Sequence, residues 1–367
     1  MSIVELGSVL ILGAGSSNDF GLPLGGQLID KIKDVTTQTA HLKDDWGESY
    51  VSPSQWSDSL LRPQQGLKNA IGAIINYQFL AGKEQYNRND LRALRKEAFE
   101  FGQALDGQTS DTIDDFISLN PKLSPIAKQC IAAVFAEKMF EPDQHGARVY
   151  PRNFGARLCA DGKTRNWIHL LINIARHHHR AAVPKEKIKI ISFNYEGILE
   201  RVLATQFANV EEKFGAYTDY FEIVHPHGYC GDILDAYDDI WKTLIAWAGN
   251  IWVVNEPAVK LPKSVVNARE RAQELIANAT HIYAAGFSFS RPNCKLLGLY
   301  DRDRVKITYH NFSNDIGIDL AVESIAERWG LKAAGRIAYI RKGAGSEGRP
   351  LTIADWIRAG HLGEMPG

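Results

Sequence analysis

Three short stretches of this chain carry residue types and spacings that can do chemistry. The first, VLILGAGSSNDFGLP (Val9 to Pro23), runs an apolar segment straight into Gly13-Ala14-Gly15 and two serines. Glycines placed so after a strand let the backbone approach a phosphate, and a following helix offers its N-terminal N–H groups. Ser16, Ser17 and Asn18 could cap that helix or donate to the phosphate. The second stretch is Phe193-Asn194-Tyr195-Glu196, and the third is His225-Pro226-His227-Gly228. A histidine is suited to general-base work because its ordinary pKa is near neutrality. His225 competes with His227 for that role, from the opposite side if the segment stays extended. Each stretch also has a plainer reading. A strand-to-helix turn needs no ligand, an Asn after a strand is commonly a turn residue, and Glu196 suits the first turn of the helix GILERVLATQF.

The elements that must position these residues are legible as alternating runs. Six short apolar, β-branched segments read as buried strands: SVLILGAG (Ser8 to Gly15), KIKIISFNY (Lys187 to Tyr195), FEIVHPHG (Phe221 to Gly228), IWVV (Ile251 to Val254), HIYAAGFSF (His281 to Phe289) and VKITYHN (Val305 to Asn311). Four end in polar or glycine-rich turns, GAGSS, FNYEG, HPHG and GFSFS. In an open parallel sheet such turns converge at the carboxyl ends of the strands, where ligands bind. LPLGGQLIDKIKDV, ARERAQELIANA (Ala268 to Ala279) and DIGIDLAVESIAERWG (Asp315 to Gly330) read as helices, the last closed by its glycine. The alternation predicts an α/β fold, a Rossmann-like, mostly parallel sheet with a large helical insertion. The sheet domain is expected over 1–28 and 181–367, with a smaller helical insertion at about 229–250. The large insertion, 29–180, shows no convincing strand; it contains LKNAIGAIINYQFLAG, DLRALRKEAFEFGQAL and SPIAKQCIAAVFAEKMF. RHHHR (Arg176 to Arg180) reads as a solvated helix end, and RKGAGSEGRP as a surface loop that lacks the GK[ST] ending of a phosphate loop.

Bulk composition narrows the classes. The 367 residues carry 42 Lys+Arg against 43 Asp+Glu, so no basic surplus supports autonomous nucleic-acid binding. The four cysteines, Cys130, Cys159, Cys230 and Cys294, form no CxxC pair, so no zinc knuckle or redox dithiol is expected, and no metal site. No apolar run has membrane length and no signal peptide is evident, which makes the cytoplasm the expected location, with no membrane partner. A dehydrogenase fingerprint would place a third glycine where Asn18 stands.

GAGSSNDFGLP, ISFNYEGILE, HPHG and GFSFS, in that order, together with TIDDFIS (Thr112 to Ser118), resemble the sirtuin-like NAD-consuming domains of bacterial anti-phage defence systems. The resemblance covers roughly Val9 to Asn311. It implies a Rossmann-like sheet with a helical insertion. The implied activity is NAD+ glycohydrolysis: cleavage of the nicotinamide–ribose bond to nicotinamide and ADP-ribose, with NAD+ as substrate. It further implies that Gly13, Ala14, Gly15 and Ser16 line the pyrophosphate, that Asn194 and His227 are the catalytic pair, that Ser17 and Glu196 are among the residues binding NAD+, and that Gly286, Ser288 and Asn311 lie on the adenosine side. Two positions depart from the family pattern: Glu196 stands where an Asp is usual, and Asn293 stands near a usual Asp. The missing zinc cysteines favour hydrolysis of free NAD+ over protein deacylation. The expected biology is a toxic effector that depletes NAD+ in abortive infection, as a homo-oligomer or beside a separately encoded HerA-type ATPase or Argonaute-like partner. The alternative is a non-catalytic sensor or regulatory subunit that binds NAD+ or ADP-ribose.

Overall fold

In the computed structural model the described residues are 7–23, 25–40, 100–107, 112–139, 141–142, 148–149, 167–180, 186–208, 215–230, 246–254, 256, 260–302, 305–310, 316–329, 340–343 and 353. Six strands form one sheet: β1 (Ser8–Leu12), β2 (Ile188–Ser192), β3 (Phe221–Val224), β4 (His281–Ala285), β5 (Lys306–His310) and β6 (Ile340–Gly343). Every neighbouring pair is parallel, and the spatial order is β3-β2-β1-β4-β5-β6. This is the Rossmann order: the chain builds outward from β1 on one side, then returns to build outward on the other. The protein is an α/β fold with a parallel sheet and flanking helices. The central strands β1, β2 and β4 are mostly apolar because parallel strands are covered on both faces; all five residues of β1 are buried.

The registers are continuous. Leu10 sits between Ile190 and Tyr283, and Ala285 pairs with both Leu12 and His310. Helix α6 (Lys263–Ala277) buries Val265, Ala272, Leu275 and Ile276, and α7 (Ile316–Arg328) buries Val322, Ile325 and Ala326. Both join one core with Ile282, Ala284 and Ile307 of the sheet. Helix α5 (Ile198–Ala208) buries Val202, Leu203 and Phe207, and the Phe207 ring meets Tyr220 and Phe221.

The chain divides into two compact units. One comprises Met1–Gly21, Asn153–Gly228 and Val254–Gly367, and contains the sheet. The other comprises Leu22–Arg152 and Tyr229–Val253. It holds α1 (Gly25–Ala40), α2 (Ile113–Leu119) and α3 (Ser124–Met139), which pack on one another. In α2, Thr112 is the N-cap: its Oγ1 accepts from the Asp115 N–H at 3.1 Å, while Phe116 buries against Phe101. TIDDFIS is thus a capped, half-buried helix.

Several details differ from the sequence expectation. Helix α4 (Trp167–Arg180), which includes RHHHR, belongs to the sheet unit rather than the insertion. It packs on α5, and the Trp167 indole N–H donates to the Ser16 carbonyl at 2.8 Å. Ile251–Val254 is not a strand. Ile251 and Val253 are buried and the Lys128 ammonium lies 4.3 Å from the Trp252 ring centre, so alternate burial arises without a ladder. The sheet's last strand is β6, whose Arg341–Gly343 opens the stretch expected to be a loop. Glu141–Pro142 and Arg148–Val149 form a two-residue antiparallel ladder where no strand was expected. LKNAIGAIINYQFLAG, the first part of GDILDAYDDIWKTLIAWAG, and Gly330 lie outside the described residues. Among the described residues, no helix is long and apolar enough to cross a membrane.

Candidate functional site

The turns leaving β1, β2, β3 and β4 lie at the same end of adjacent parallel strands. The glycine turn is held by β4. Gly13 N–H donates to the Ala285 carbonyl and Gly15 N–H to the Gly286 carbonyl, both at 3.1 Å, while Ser16 N–H donates to Gly13 at 2.8 Å. A Cβ on Gly13 would stand 2.5 Å from the Gly286 oxygen, and one on Gly15 2.6 Å from the Gly286 Cα. Gly286 itself has φ +62°. These three glycines are therefore required by a crossing of two backbones, and the donors of Gly13, Gly15 and Ser16 are engaged inside the protein. The chain then makes a seven-residue 3-10 helix (Ala14–Phe20) that stops at Gly21, φ 76°. No α-helix begins at the glycine turn; α1 starts at Gly25. Asn18 lies within the tight 3-10 turn, so the helix–strand approach that a third glycine serves does not arise there.

Beside this turn lies a buried polar cluster. The exit of β2 is tied to β1 by Phe193 N–H to the Leu12 carbonyl at 2.9 Å. Asn194 follows, and its Nδ2 donates to Ser16 Oγ at 2.7 Å and to Ser17 Oγ at 2.9 Å. Ser17 Oγ in turn donates to Glu196 Oε1. All four side chains are buried. Because the single Ser17 hydroxyl hydrogen goes to the carboxylate, Ser17 Oγ faces Asn194 as an acceptor, which fixes the amide with its nitrogen toward the serines. Among the described residues, Asn194 Oδ1 is left buried with no hydrogen-bond partner. Burial pushes the Glu196 carboxyl up to about 7, and the nearby Glu200 adds to this; the Ser17 hydroxyl, the Glu196 N–H and His225 pull it down. Glu196 is therefore bonded to the glycine-turn segment, not placed as a cap of α5.

The segment after β3 turns at once: Gly228 N–H returns to the His225 carbonyl at 3.0 Å and Gly228 has φ +66°. The turn gives the two histidines different surroundings. His225 Nε2 is 2.6 Å from Glu200 Oε1. His227 is 1% exposed, edge-on to Phe193 (4.9 Å between ring centres) and stacked on Tyr195 (5.9 Å, 24°). Those rings flank Asn194 in sequence, so the Phe-Asn-Tyr stretch walls the His227 ring. Among the described residues neither ring nitrogen of His227 has a partner in hydrogen-bonding geometry, although the Asn293 side chain lies close enough to act on the ring. Burial, reinforced by the Arg269 guanidinium, lowers its pKa to about 3, with the Asn293 side chain pulling the other way. The ring is uncharged at neutral pH, and an ordinary histidine pKa does not apply to it. Arg269 is anchored by Nε to the Pro226 carbonyl (3.0 Å) and by Nη1 to the Val254 carbonyl (3.3 Å).

The structure thus gathers Ser16, Ser17, Asn194 and Glu196 into one hydrogen-bonded group and sets His227 against the residues beside Asn194. Gly13, Gly15 and Gly286 serve the backbone crossing, Ala14 and Ser288 are exposed, and Asn311 lies outside the described residues. Phe289, next to Ser288, is 1% exposed and carries a positive φ of 53°. Arg269 was not singled out in the sequence because ARERAQELIANA reads as an ordinary amphipathic helix; Glu200 likewise reads as a first-turn acid. Among the described residues no group of three or more His, Cys, Asp or Glu is arranged to hold a metal. No protein-family model matches the chain. A search of curated proteins also finds no match.

Proposed function

We propose that this protein is an NAD+ glycohydrolase whose reacting centre lies at the ends of β2 and β3. The observation that supports the reading is the pair of buried, unpartnered polar groups there: Asn194 Oδ1 and both ring nitrogens of His227. Buried polar atoms are nearly always hydrogen-bonded, and leaving them unmade costs about 1–3 kcal/mol each. Groups kept in that state suit a ligand that brings hydroxyls and an attacking water. In NAD+, the C1′–N bond breaks with its electron pair leaving on the nicotinamide, which departs neutral. Water oxygen bonds to C1′ and its proton is released, giving ADP-ribose. Asn194 Oδ1 is an acceptor suited to a ribose hydroxyl or to that water. A His227 ring with a pKa of about 3 is a weak base, sufficient to orient a water that adds to an already cationic ribosyl carbon. On the resemblance alone, the role would be that of a toxic effector in anti-phage defence, in a homo-oligomer or with a HerA-type or Argonaute-like partner.

The second reading is a sensor that binds NAD+ or ADP-ribose without turnover. It is favoured by the same low basicity of His227 and by the engaged backbone donors of the glycine turn. The test is to incubate the purified chain with NAD+ and separate nicotinamide and ADP-ribose by chromatography, beside Asn194→Ala and His227→Ala. Both products from the wild type, lost in folded variants, support the enzyme. Undiminished turnover in Asn194→Ala overturns the assigned site, and tight NAD+ binding with no product supports the sensor.

A further inference from the structure

We infer that Glu196 is a positioning residue: its ionised carboxylate, acting through the Ser17 hydroxyl, holds the Asn194 amide with Oδ1 free for a ligand. The role of that oxygen in catalysis rests on the glycohydrolase reading; the relay itself does not. The geometry is a chain of three groups from two parts of the fold. Glu196 and Asn194 leave β2, and Ser17 stands on the 3-10 turn after β1. Ser17 has one hydrogen and gives it to Glu196 Oε1. Its oxygen therefore accepts from Asn194 Nδ2, whose other hydrogen goes to Ser16 Oγ.

Protonation of Glu196 on Oε1, the oxygen bonded to Ser17, reverses the polarity. A carboxylic acid O–H donates to Ser17 Oγ, and the Ser17 hydrogen must then swing away from Glu196. Turned toward Asn194, that hydrogen meets the amide N–H, donor against donor. The amide relieves this by rotating so that Oδ1 accepts from Ser17, and the free acceptor is lost. The groups that face Glu196 are Ser17 from the glycine-turn segment, its own N–H, Glu200 on α5, and His225 from the turn after β3, which is paired with Glu200. With burial dominating, the carboxyl titrates at about 7, so the switch from the rotated to the fixed amide falls in the neutral range as pH rises.

The test reads the amide directly. In protein labelled with 15N at asparagine, the Asn194 side-chain NH2 signals are identified by their loss in Asn194→Ala and followed from pH 5.5 to 8.5. The expected result is a titration with a midpoint near 7 that disappears in both Glu196→Gln and Ser17→Ala. Absence of titration in the folded wild type, or an unchanged titration in Ser17→Ala, overturns the relay whatever the protein's activity. NAD+ turnover and NAD+ binding on the same samples report on the other reading separately. If the wild type turns NAD+ over, kcat should rise through pH 7 and fall up to about 100-fold in Glu196→Gln, with a smaller change in KM. Combining Ser17→Ala with Glu196→Gln should then add little. A kcat profile flat across neutral pH, beside a titrating amide, would sever the relay from catalysis. No product and no binding, beside a titrating amide, would leave the relay standing and remove the enzyme reading alone.

Discussion

The two sides of one sheet edge are built on opposite terms. Where β1 and β4 end, the backbone closes on itself: Gly13 and Gly15 N–H groups are engaged by the β4 exit, and three glycines exist because no Cβ fits. Where β2 and β3 end, polar side chains are taken out of water and some are left unmet, namely Asn194 Oδ1 and the His227 ring. The point where strand order reverses, between β1 and β4, is where a Rossmann sheet is expected to receive its ligand. Here that point is the best-satisfied part of the edge, and the unmet chemistry lies one and two strands away. A glycine signature can thus record a backbone crossing, while the polar groups that burial leaves unmet lie elsewhere along the same edge.

The largest expected effect comes from breaking the closed side. Gly286→Ala would force a side chain at φ +62° into the backbone of Gly15 and Ser16. Overpacking costs about 1–3 kcal/mol and the left-handed conformation about 1–2 more, so a loss of about 4 kcal/mol is expected in chemical denaturation. A variant as stable as the wild type would show that the crossing is loose and that the glycines are there for another reason.

The open side should answer in the other direction. His227→Phe keeps an aromatic ring against Phe193 and Tyr195 and removes two unmet nitrogens. Stability at pH 7 should hold or rise. The pH dependence carries the sign. The wild-type ring has a folded pKa of about 3 against 6.5 when unfolded, so the unfolded chain binds the extra proton between those values. Stability is full above pH 6.5 and is lost as pH falls toward 3. At pH 5 the variant should be more stable than the wild type by about 2 kcal/mol, read as the difference in denaturation midpoint between pH 7.5 and pH 5. Equal acid sensitivity in both proteins would mean that the ring is hydrated or paired.

How far the sequence foretold this contrast depends on which physical signal each residue leaves. β1, β2, β3, β4 and β5 were legible because buried parallel strands are mostly apolar and are punctuated by polar turns. Ile340–Gly343 was hidden, since its lysine, arginine and glycine look like the start of a loop. Ile251–Val254 misled because alternate burial of Ile251 and Val253 mimics a strand without pairing. Asn194, His227, Ser16, Ser17 and Glu196 were legible as turn residues at strand ends. What each does there was not, because the serine–amide–carboxylate chain joins residues about 180 positions apart. Arg269 was invisible for a related reason: helical periodicity records which face is buried, not which carbonyl a guanidinium reaches.

The smallest effect should come from a surface where every polar group is already met. Arg271 bonds Glu222 through Nε (2.6 Å) and Nη2 (3.1 Å) and Glu274 through Nη1 (2.8 Å), with its side chain 44% exposed. Among the described residues, bidentate geometry makes this the best formed of the exposed ion pairs, and it ties α6 to β3, the strand that leads into His227. Solvent screening still limits its worth. Arg271→Ala should cost no more than about 1 kcal/mol at low salt and less at high salt, by denaturation at two ionic strengths. It should leave NAD+ binding or turnover unchanged. A larger, salt-insensitive loss would show that β3 is held from outside as much as from within. The His227 turn would then depend on the helix surface, and the contrast between the two sides of the edge would no longer be a property of the edge alone.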